Sequence, residues 1–440
     1  MISALTTDLY QLTMAAGYWR GGLLGSATFE LFVRRLPDRR PYLIAAGLDE
    51  ALTYLEELRF LDDDRAWLRQ LPQFRQVPPA FFDDYLRTFR FSGDVWALSE
   101  GTPVFANEPI VRVTAPFPEA QLVETVLLAV IGFQTNVAAK ASRVVEAAHG
   151  RPVVEFGARR AHGPGAALAA ARAAFIGGCA GTSLVEAGRR YGIPTSGTMA
   201  HSWVQTFPSE TDAFRDFSRL FADSAVYLLD TYDTLRATQR LIDSGLKPSM
   251  VRLDSGDLDA LSRQVRALLD AAGLRETKIF ATGDLDEDRI AELVTAGAPI
   301  DGFGVGTMLS TVADAPALSA VYKLVAIERG GEQLGVIKLS PGKSTWPGPK
   351  QVWRVMENGY AIRDVIAAAA EPPIANALPL LERVMTNGRR LAPSPSLVDV
   401  RARCRRLVGT LPASMPVDIS PALEDARLNA SRYTSKRDAT

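Results

Sequence analysis

The 440-residue sequence predicts an α/β protein: an irregular, TIM-like α/β barrel with an additional α/β domain formed by the N-terminal and C-terminal segments. Three observations predict it. Between about residues 150 and 310, short apolar runs alternate with helical stretches, a rhythm that calls for parallel strands joined by right-handed crossovers. Each run turns to Gly, Asp, Arg or Thr at its C-terminal end, where barrels build their sites. The chain is also too long for one ordinary compact domain, which makes two the working expectation.

The elements follow in order. "TDLYQLTMAAGYW" reads as a short helix from Thr7 to about Trp19, with Thr7 or Asp8 as N-cap and Gly17 near its end. "SATFELFVRRLP" alternates as a strand does. Helical stretches follow at about 46–72 and 79–90, and "DVWALSEGTPVFANEPIVRVTAP" returns to extended pieces broken by Gly and Pro. Residues 1–120 are read as the N-terminal α/β domain. The long apolar helix "EAQLVETVLLAVIGFQTNVAAKASRVVEAA" leads into the barrel, assigned to 121–334. Its strands are "PVVEFGARR", "SAVYLLDTYD", "SMVRLDSGD", "KIFATGDLD" and "IDGFGVGTM". From about 335 to 425 the Pro-rich "KLSPGKSTWPGPKQVWRVMENG" and later strand-like pieces are expected to pack back on the N-terminal domain. Residues 426–440 are expected to be a flexible tail.

Composition narrows the function classes. With 49 basic and 50 acidic residues, the chain has no global excess of positive charge to recruit nucleic acid or a membrane surface. No segment reads as a signal peptide or a membrane span, so a cytoplasmic protein is expected. Cys179 and Cys404 lie far apart and match neither a disulfide framework nor a zinc site, and no zinc is expected.

The candidate chemistry sits at the ends of the apolar runs. In "VRLDSGDL", Arg252 and Asp254 are two apart and face one side of a strand, so a cation and a carboxylate share a pocket; a strand-end ion pair reads equally well. In "ATGDLDE", Gly283 permits a tight turn, and Asp284 could take hydroxyl hydrogen bonds or a metal, although Asp284 or Asp286 as a helix N-cap is the plainer reading. "DGFGVGTML" offers Gly304, Gly306 and Thr307 as a loop whose N–H groups could cradle a phosphate at a late strand. "EFGARRAHG" sets the ring of Phe156 beside Arg159 and Arg160, a combination suited to a flat anionic ring or a phosphate. His149 and His162 read as structural background. His201, in "SGTMAHSW", is surrounded by small residues that admit a ligand, and imidazole is a competent nucleophile near neutrality.

Taken in order, "TDLYQLTMAAGYW", "EFGARRAHG", "GTSLVEAGRRYGIPTSGTMAHSW", "VRLDSGDL" and "DGFGVGTM", with "LLDTYDT" and "ATGDLDE" between them, closely resemble the nicotinate phosphoribosyltransferases, type II phosphoribosyltransferases. The match runs from the N-terminus to about residue 325, and the C-terminal third resembles the family only loosely. The resemblance implies condensation of nicotinate with 5-phosphoribosyl 1-pyrophosphate to nicotinate mononucleotide and pyrophosphate, coupled to ATP hydrolysis. Mg²⁺ is implied as cofactor and ATP as co-substrate.

The resemblance also implies roles. His201 stands where the family's histidine is transiently phosphorylated. Tyr10 would come from the other subunit of a homodimer with shared active sites, to stack on the pyridine ring opposite Phe156. Arg159, Arg160 and Arg252 would meet the nicotinate carboxylate and the sugar diphosphate. Asp254 would hold ribose hydroxyls, and Asp284 would do likewise or help place Mg²⁺, beside Gly283. Gly304, Gly306 and Thr307 resemble the 5′-phosphate loop; Thr198 and Ser202 flank His201 near the base. In related nicotinamide enzymes an aspartate stands at the position of Ser183, where a carboxylate would repel nicotinate by on the order of 1–4 kcal/mol. Serine therefore implies the acid as substrate. The alternatives are a nicotinamide phosphoribosyltransferase and a catalytically silent, nucleotide-binding relative. Quinolinate phosphoribosyltransferases share the architecture but are usually much shorter. "ATGDLDE" carries Thr282 where many relatives have Ser.

Overall fold

The computed structural model describes residues 2–340 and 343–438, arranged in two units. One joins the chain up to Asn136 to the chain from Ala317 onward; the other is Val137–Pro316.

The first unit is built on a seven-stranded sheet. Ser26–Val33 lies between Ala320–Arg329 and Pro109–Pro116, both antiparallel to it; Asp94–Leu98 and Leu381–Thr386 follow beyond Pro109–Pro116. A four-stranded sheet is centred on the antiparallel pair Lys350–Glu357 and Tyr360–Ala368. The first helix spans Leu9–Arg20, with Asp8 as N-cap, where the Gln11 side chain accepts the Asp8 N–H at 3.1 Å. It continues through Gly17, because the last turn closes further on, at Gly21, whose N–H reaches the Gly17 carbonyl at 2.9 Å. The expected 46–72 stretch is two helices, Leu48–Glu57 and Asp62–Leu68, interrupted where Leu58 turns extended. Within 79–90, Phe81–Leu86 is a π-helix, and its wider turn buries both Phe81 and Phe82.

Two expected boundaries are corrected. The barrel unit is narrower than 121–334: the division falls inside the helix Glu124–Ala147, and Ala320–Arg329 and Glu332–Gly335 extend the first unit's sheet. The hydrogen-bonding edge of Ser26–Val33 claims that hairpin. The tail expected from 426 instead continues the helix Pro421–Asp438, whose Leu423 is fully buried; residues 439 and 440 lie outside the described residues.

The second unit is a six-stranded parallel sheet in the order Gly181–Thr182, Val153–Glu155, Gly302–Val305, Lys278–Ala281, Met250–Leu253, Val226–Leu228. The last strand in sequence pairs back onto the first, as in a barrel, and the sheet is left open between Gly181–Thr182 and Val226–Leu228. The short Gly181–Thr182 strand is not among the runs expected from the sequence, since two residues carry no readable alternation. Beside it, Thr195 forms a parallel bridge to Thr182, and the chain leading to His201 runs along this strand. Gly181 permits the approach: a Cβ there would lie 2.5 Å from the Pro194 carbonyl oxygen. The helices Thr234–Asp243, Leu258–Ala271 and Glu287–Thr295 start on aspartate caps, Asp233, Asp257 and Asp286, so Asp286 rather than Asp284 opens the last of them.

Candidate active site

The C-terminal ends of the barrel strands gather a connected set of polar side chains. Met250–Leu253 presents Arg252, whose flat guanidinium spends three nitrogens on three partners. Nη2 donates to Asp254 Oδ1 at 2.6 Å, Nε to Thr282 Oγ1 at 2.8 Å and Nη1 to Thr198 Oγ1 at 2.7 Å. Thr282 in turn donates to Asp254 Oδ1, which closes a triangle. The Arg252 Cζ also lies 5.9 Å from the centroid of the Phe156 ring, within cation–π range. Arg252 is buried, so this arrangement fixes its rotamer before any ligand arrives.

Asp254 is held ionised. Burial alone would raise its carboxyl, but the Thr282 hydrogen bond, the charge and hydrogen bond of Arg252, and nearby His201 together hold it below the usual aspartate value. The next βα turn fits tightly over it. Gly283 has φ +93°, and a Cβ there would stand 1.9 Å from the Asp254 carbonyl oxygen, so only glycine closes this turn.

His201 is the first residue of the helix His201–Thr206. The helix is anchored by Trp203, whose indole N–H donates to the Ala213 carbonyl at 3.1 Å and whose ring packs on Phe207 and Phe217. The imidazole is 42% exposed, with Nδ1 at 3.2 Å from Thr231 Oγ1 and Nε2 at 3.7 Å from Asp254 Oδ2. Asp230, beside Thr231, accepts the Asp254 N–H at 3.0 Å and the Ser255 hydroxyl at 2.5 Å through Oδ2. Its Oδ1 is buried with no hydrogen-bond partner among the described residues.

Phe156 follows the Val153–Glu155 strand. Glu155 shapes the turn after it, accepting the Gly157 N–H and, at 2.6 Å, the Thr182 hydroxyl. The alternate glycines of "DGFGVG" have a packing role that "phosphate cradle" does not describe. A Cβ at Gly302 would meet the Phe280 ring at 3.0 Å, and one at Gly304 would meet Thr282 Cγ2 at 2.6 Å and the Phe156 ring at 2.9 Å. Gly304 is thus a buried strand residue that seats Phe156, whereas Gly306 and Thr307 stand beyond the strand, Gly306 as N-cap of Thr307–Ser310.

The structure therefore joins His201, Thr198, Arg252, Asp254 and Phe156, with Gly283 and Gly304 shaping their surroundings. Arg159, Arg160, Ser183, Ser202, Asp284 and Thr307 are exposed, in the loops and short helices beyond the strands; among the described residues their side chains make no hydrogen bond or ion pair. Asp284 sits at φ +45°. Tyr10, in the first unit, is 48% exposed, and its hydroxyl donates to Glu124 Oε2 at 2.9 Å; burial of the phenol and this carboxylate push its pKa up to about 12. Thr282, Asp230, Thr231 and Glu155 join this network without a role expected from the sequence, although "LLDTYDT" carries acidic and hydroxyl residues directly after an apolar run.

The parallel barrel is left open at one seam and gathers arginine, carboxylate and histidine at its strand ends, and its sequence is that of a phosphoribosyltransferase domain. Residues 137–315 match the family model described as the C-terminal domain of quinolinate phosphoribosyl transferase, and residues 5–132 match the nicotinate phosphoribosyltransferase N-terminal domain. The chain belongs to the nicotinate phosphoribosyltransferase family. It is 49% identical to nicotinate phosphoribosyltransferase pncB2 of Mycobacterium tuberculosis over 424 residues, covering 94% of this chain and 89% of that one. It is 45% identical to the nicotinate phosphoribosyltransferase of Bacillus subtilis, covering 83% and 76%. The crystal structure of human nicotinic acid phosphoribosyltransferase superposes with a TM-score of 0.83 at 29% identity, covering 95% of this chain and 98% of that one.

Proposed function

We propose that this protein is a nicotinate phosphoribosyltransferase that joins nicotinate to 5-phosphoribosyl 1-pyrophosphate, releasing pyrophosphate and forming nicotinate mononucleotide for NAD salvage in the cytoplasm. The observation that carries this reading is the triangle of Arg252, Asp254 and Thr282, with His201 facing the free oxygen of Asp254.

The pyridine nitrogen attacks C1 of the ribose as the bond from C1 to the diphosphate oxygen breaks. The electron pair leaves with pyrophosphate, the ring nitrogen becomes a pyridinium, and no proton need be removed. Positive charge develops at C1, so the work of the protein is to orient the sugar, clamp the diphosphate and hold the ring. Asp254, kept ionised, suits the ribose hydroxyls and the developing charge. Phe156 offers a face for the pyridine. Tyr10 of a second copy supplies the opposite face in a homodimer with shared sites, a role its exposed ring permits. The uncommitted Arg159 and Arg160 meet the anionic groups of nicotinate and diphosphate, and Gly306 and Thr307 the 5′-phosphate.

Oxygen donors for Mg²⁺ are at hand in the unpartnered Oδ1 of Asp230 and the exposed Asp284, both of the hard type that this ion prefers. When bound, the ion supplies charge neutralisation for the diphosphate. ATP is the co-substrate: a ring nitrogen of His201, half exposed and steadied by Thr231, bonds to the γ-phosphorus as its bond to the β-phosphate oxygen breaks and ADP leaves, and hydrolysis of the phosphohistidine by water, releasing phosphate, drives the reaction forward.

The test is product formation with phosphoribosyl pyrophosphate and Mg²⁺, from nicotinate and separately from nicotinamide. Nicotinate mononucleotide is the expected product. Preference for nicotinamide would instead make this a nicotinamide enzyme, and no product from either base would make it a silent nucleotide binder.

A further inference from the structure

The unit built from the two ends of the chain holds a cavity of its own, of about 1270 Å³. Its walls are largely apolar: Ile327, Leu334, Val336 and Ile337 from the sheet edge and the segment after it, Leu423 and Ala426 from the Pro421–Asp438 helix. The Pro-rich stretch "WPGPK", which the barrel chemistry does not use, lends Pro347, Gly348 and Pro349 to the same wall.

Two cations reach this wall, Arg112 and Arg329; Arg329 is exposed to solvent, whereas Arg112 is buried. Arg112 is only 7% exposed, directly opposite Glu30 on one neighbouring strand and Trp96 on the other. Its guanidinium carbon lies 4.2 Å from the Trp96 ring centroid, and Nη1 donates to the Lys350 carbonyl at 2.8 Å. Its Nε is buried with no acceptor among the described residues. Glu30, the acidic group that faces it, is already engaged by Lys350, whose Nζ stands 2.7 Å from Oε2 and whose backbone N–H donates to Oε1 at 2.8 Å. Lys350 Nζ also donates to the carbonyls of Trp346 at 3.0 Å and Gly348 at 2.8 Å. Two buried cations therefore share one buried carboxylate, and the surplus positive charge lies at Arg112, in the cavity wall. A buried charge without a counter-ion is costly, and an anion entering the cavity would relieve it.

We propose that this cavity is a binding site for an amphipathic monocarboxylate, whose head group pairs with Arg112 and whose hydrocarbon body lies against the apolar wall. The one buried surplus charge matches one carboxylate, and the charge of Arg329 on the same wall is already screened by solvent. A small inorganic anion would leave the apolar wall uncovered, and a neutral hydrocarbon would leave Arg112 unpaired.

Decanoate is the probe, titrated calorimetrically into the full-length protein, with decanol as its neutral counterpart. Decanoate is expected to bind once per chain, and decanol at least about tenfold more weakly. Arg112→Met should remove that difference. Because Arg112 is buried and its loss could impair folding, Ala426→Trp, at a half-buried helix position, provides an independent arm: it fills the cavity and should abolish decanoate binding while nicotinate mononucleotide synthesis continues. The proposal is overturned if decanoate does not bind, if decanol binds as well, if Ala426→Trp leaves binding intact, or if excess nicotinate or inorganic phosphate displaces decanoate.

Discussion

His201 and Asp254 face each other at 3.7 Å between Nε2 and Oδ2, while the other oxygen of Asp254 is engaged by Arg252 and Thr282. One carboxylate thus divides its two oxygens between a buried, fixed cation and a half-exposed imidazole.

Asp254→Asn keeps the shape and removes the charge. It should lower the rate of product formation by about 10²–10³-fold, the usual cost of losing one preorganised charge at a developing cation. A steady-state assay in which kcat is unchanged would remove Asp254 from the reaction.

Because the Asp254 carboxyl is depressed in the folded protein, its ionisation contributes stability that is present above the ordinary aspartate range and is lost as pH falls through the folded value. In denaturant unfolding, the stability of wild type relative to Asp254→Asn should therefore be constant from neutral pH to about pH 4 and decline below it. A gap that widens on acidification would contradict the geometry.

Thr282 bridges Arg252 and Asp254, so Thr282→Val should cost about 1–3 kcal/mol in stability and impair catalysis, while Thr282→Ser, which keeps the hydroxyl, should retain activity. Equal activity in the two variants would show that the bridge is incidental.

Gly304→Ala places a methyl against Phe156 and Thr282. The ring must shift, so KM for nicotinate should rise, and thermal unfolding should register about 1–3 kcal/mol of overpacking. An unchanged KM would mean that Phe156 does not seat the base.

The barrel was legible because its strands are short apolar runs that end in polar residues, and five of the six matched that pattern. The sixth, Gly181–Thr182, has no alternation to read and is defined by its neighbours. Arg252 and Asp254 were visible as a pair because a strand puts i and i+2 on one side. Thr282 was noticed as a substitution and its bridging position was not, since that depends on the register between Met250–Leu253 and Lys278–Ala281. The same holds for Gly304, whose small size answers to a ring far away in sequence. Asp230 lies in "LLDTYDT", and its contacts with the Asp254 N–H and the Ser255 hydroxyl depend on the pairing of neighbouring strands. In the first unit, the hairpin of Ala320–Arg329 and Glu332–Gly335 directly follows the barrel in sequence, whereas its strand pairing lies with Ser26–Val33.

The most direct measurement of the central claim is nicotinate mononucleotide formation by wild type and His201→Ala, with and without ATP, alongside labelling of the protein by γ-phosphoryl-labelled ATP. Wild type should run faster with ATP and carry acid-labile label at His201, and the variant should lose both the label and the ATP effect while retaining a slow basal reaction. A variant that keeps the ATP stimulation, or a label that persists without His201, would contradict the account.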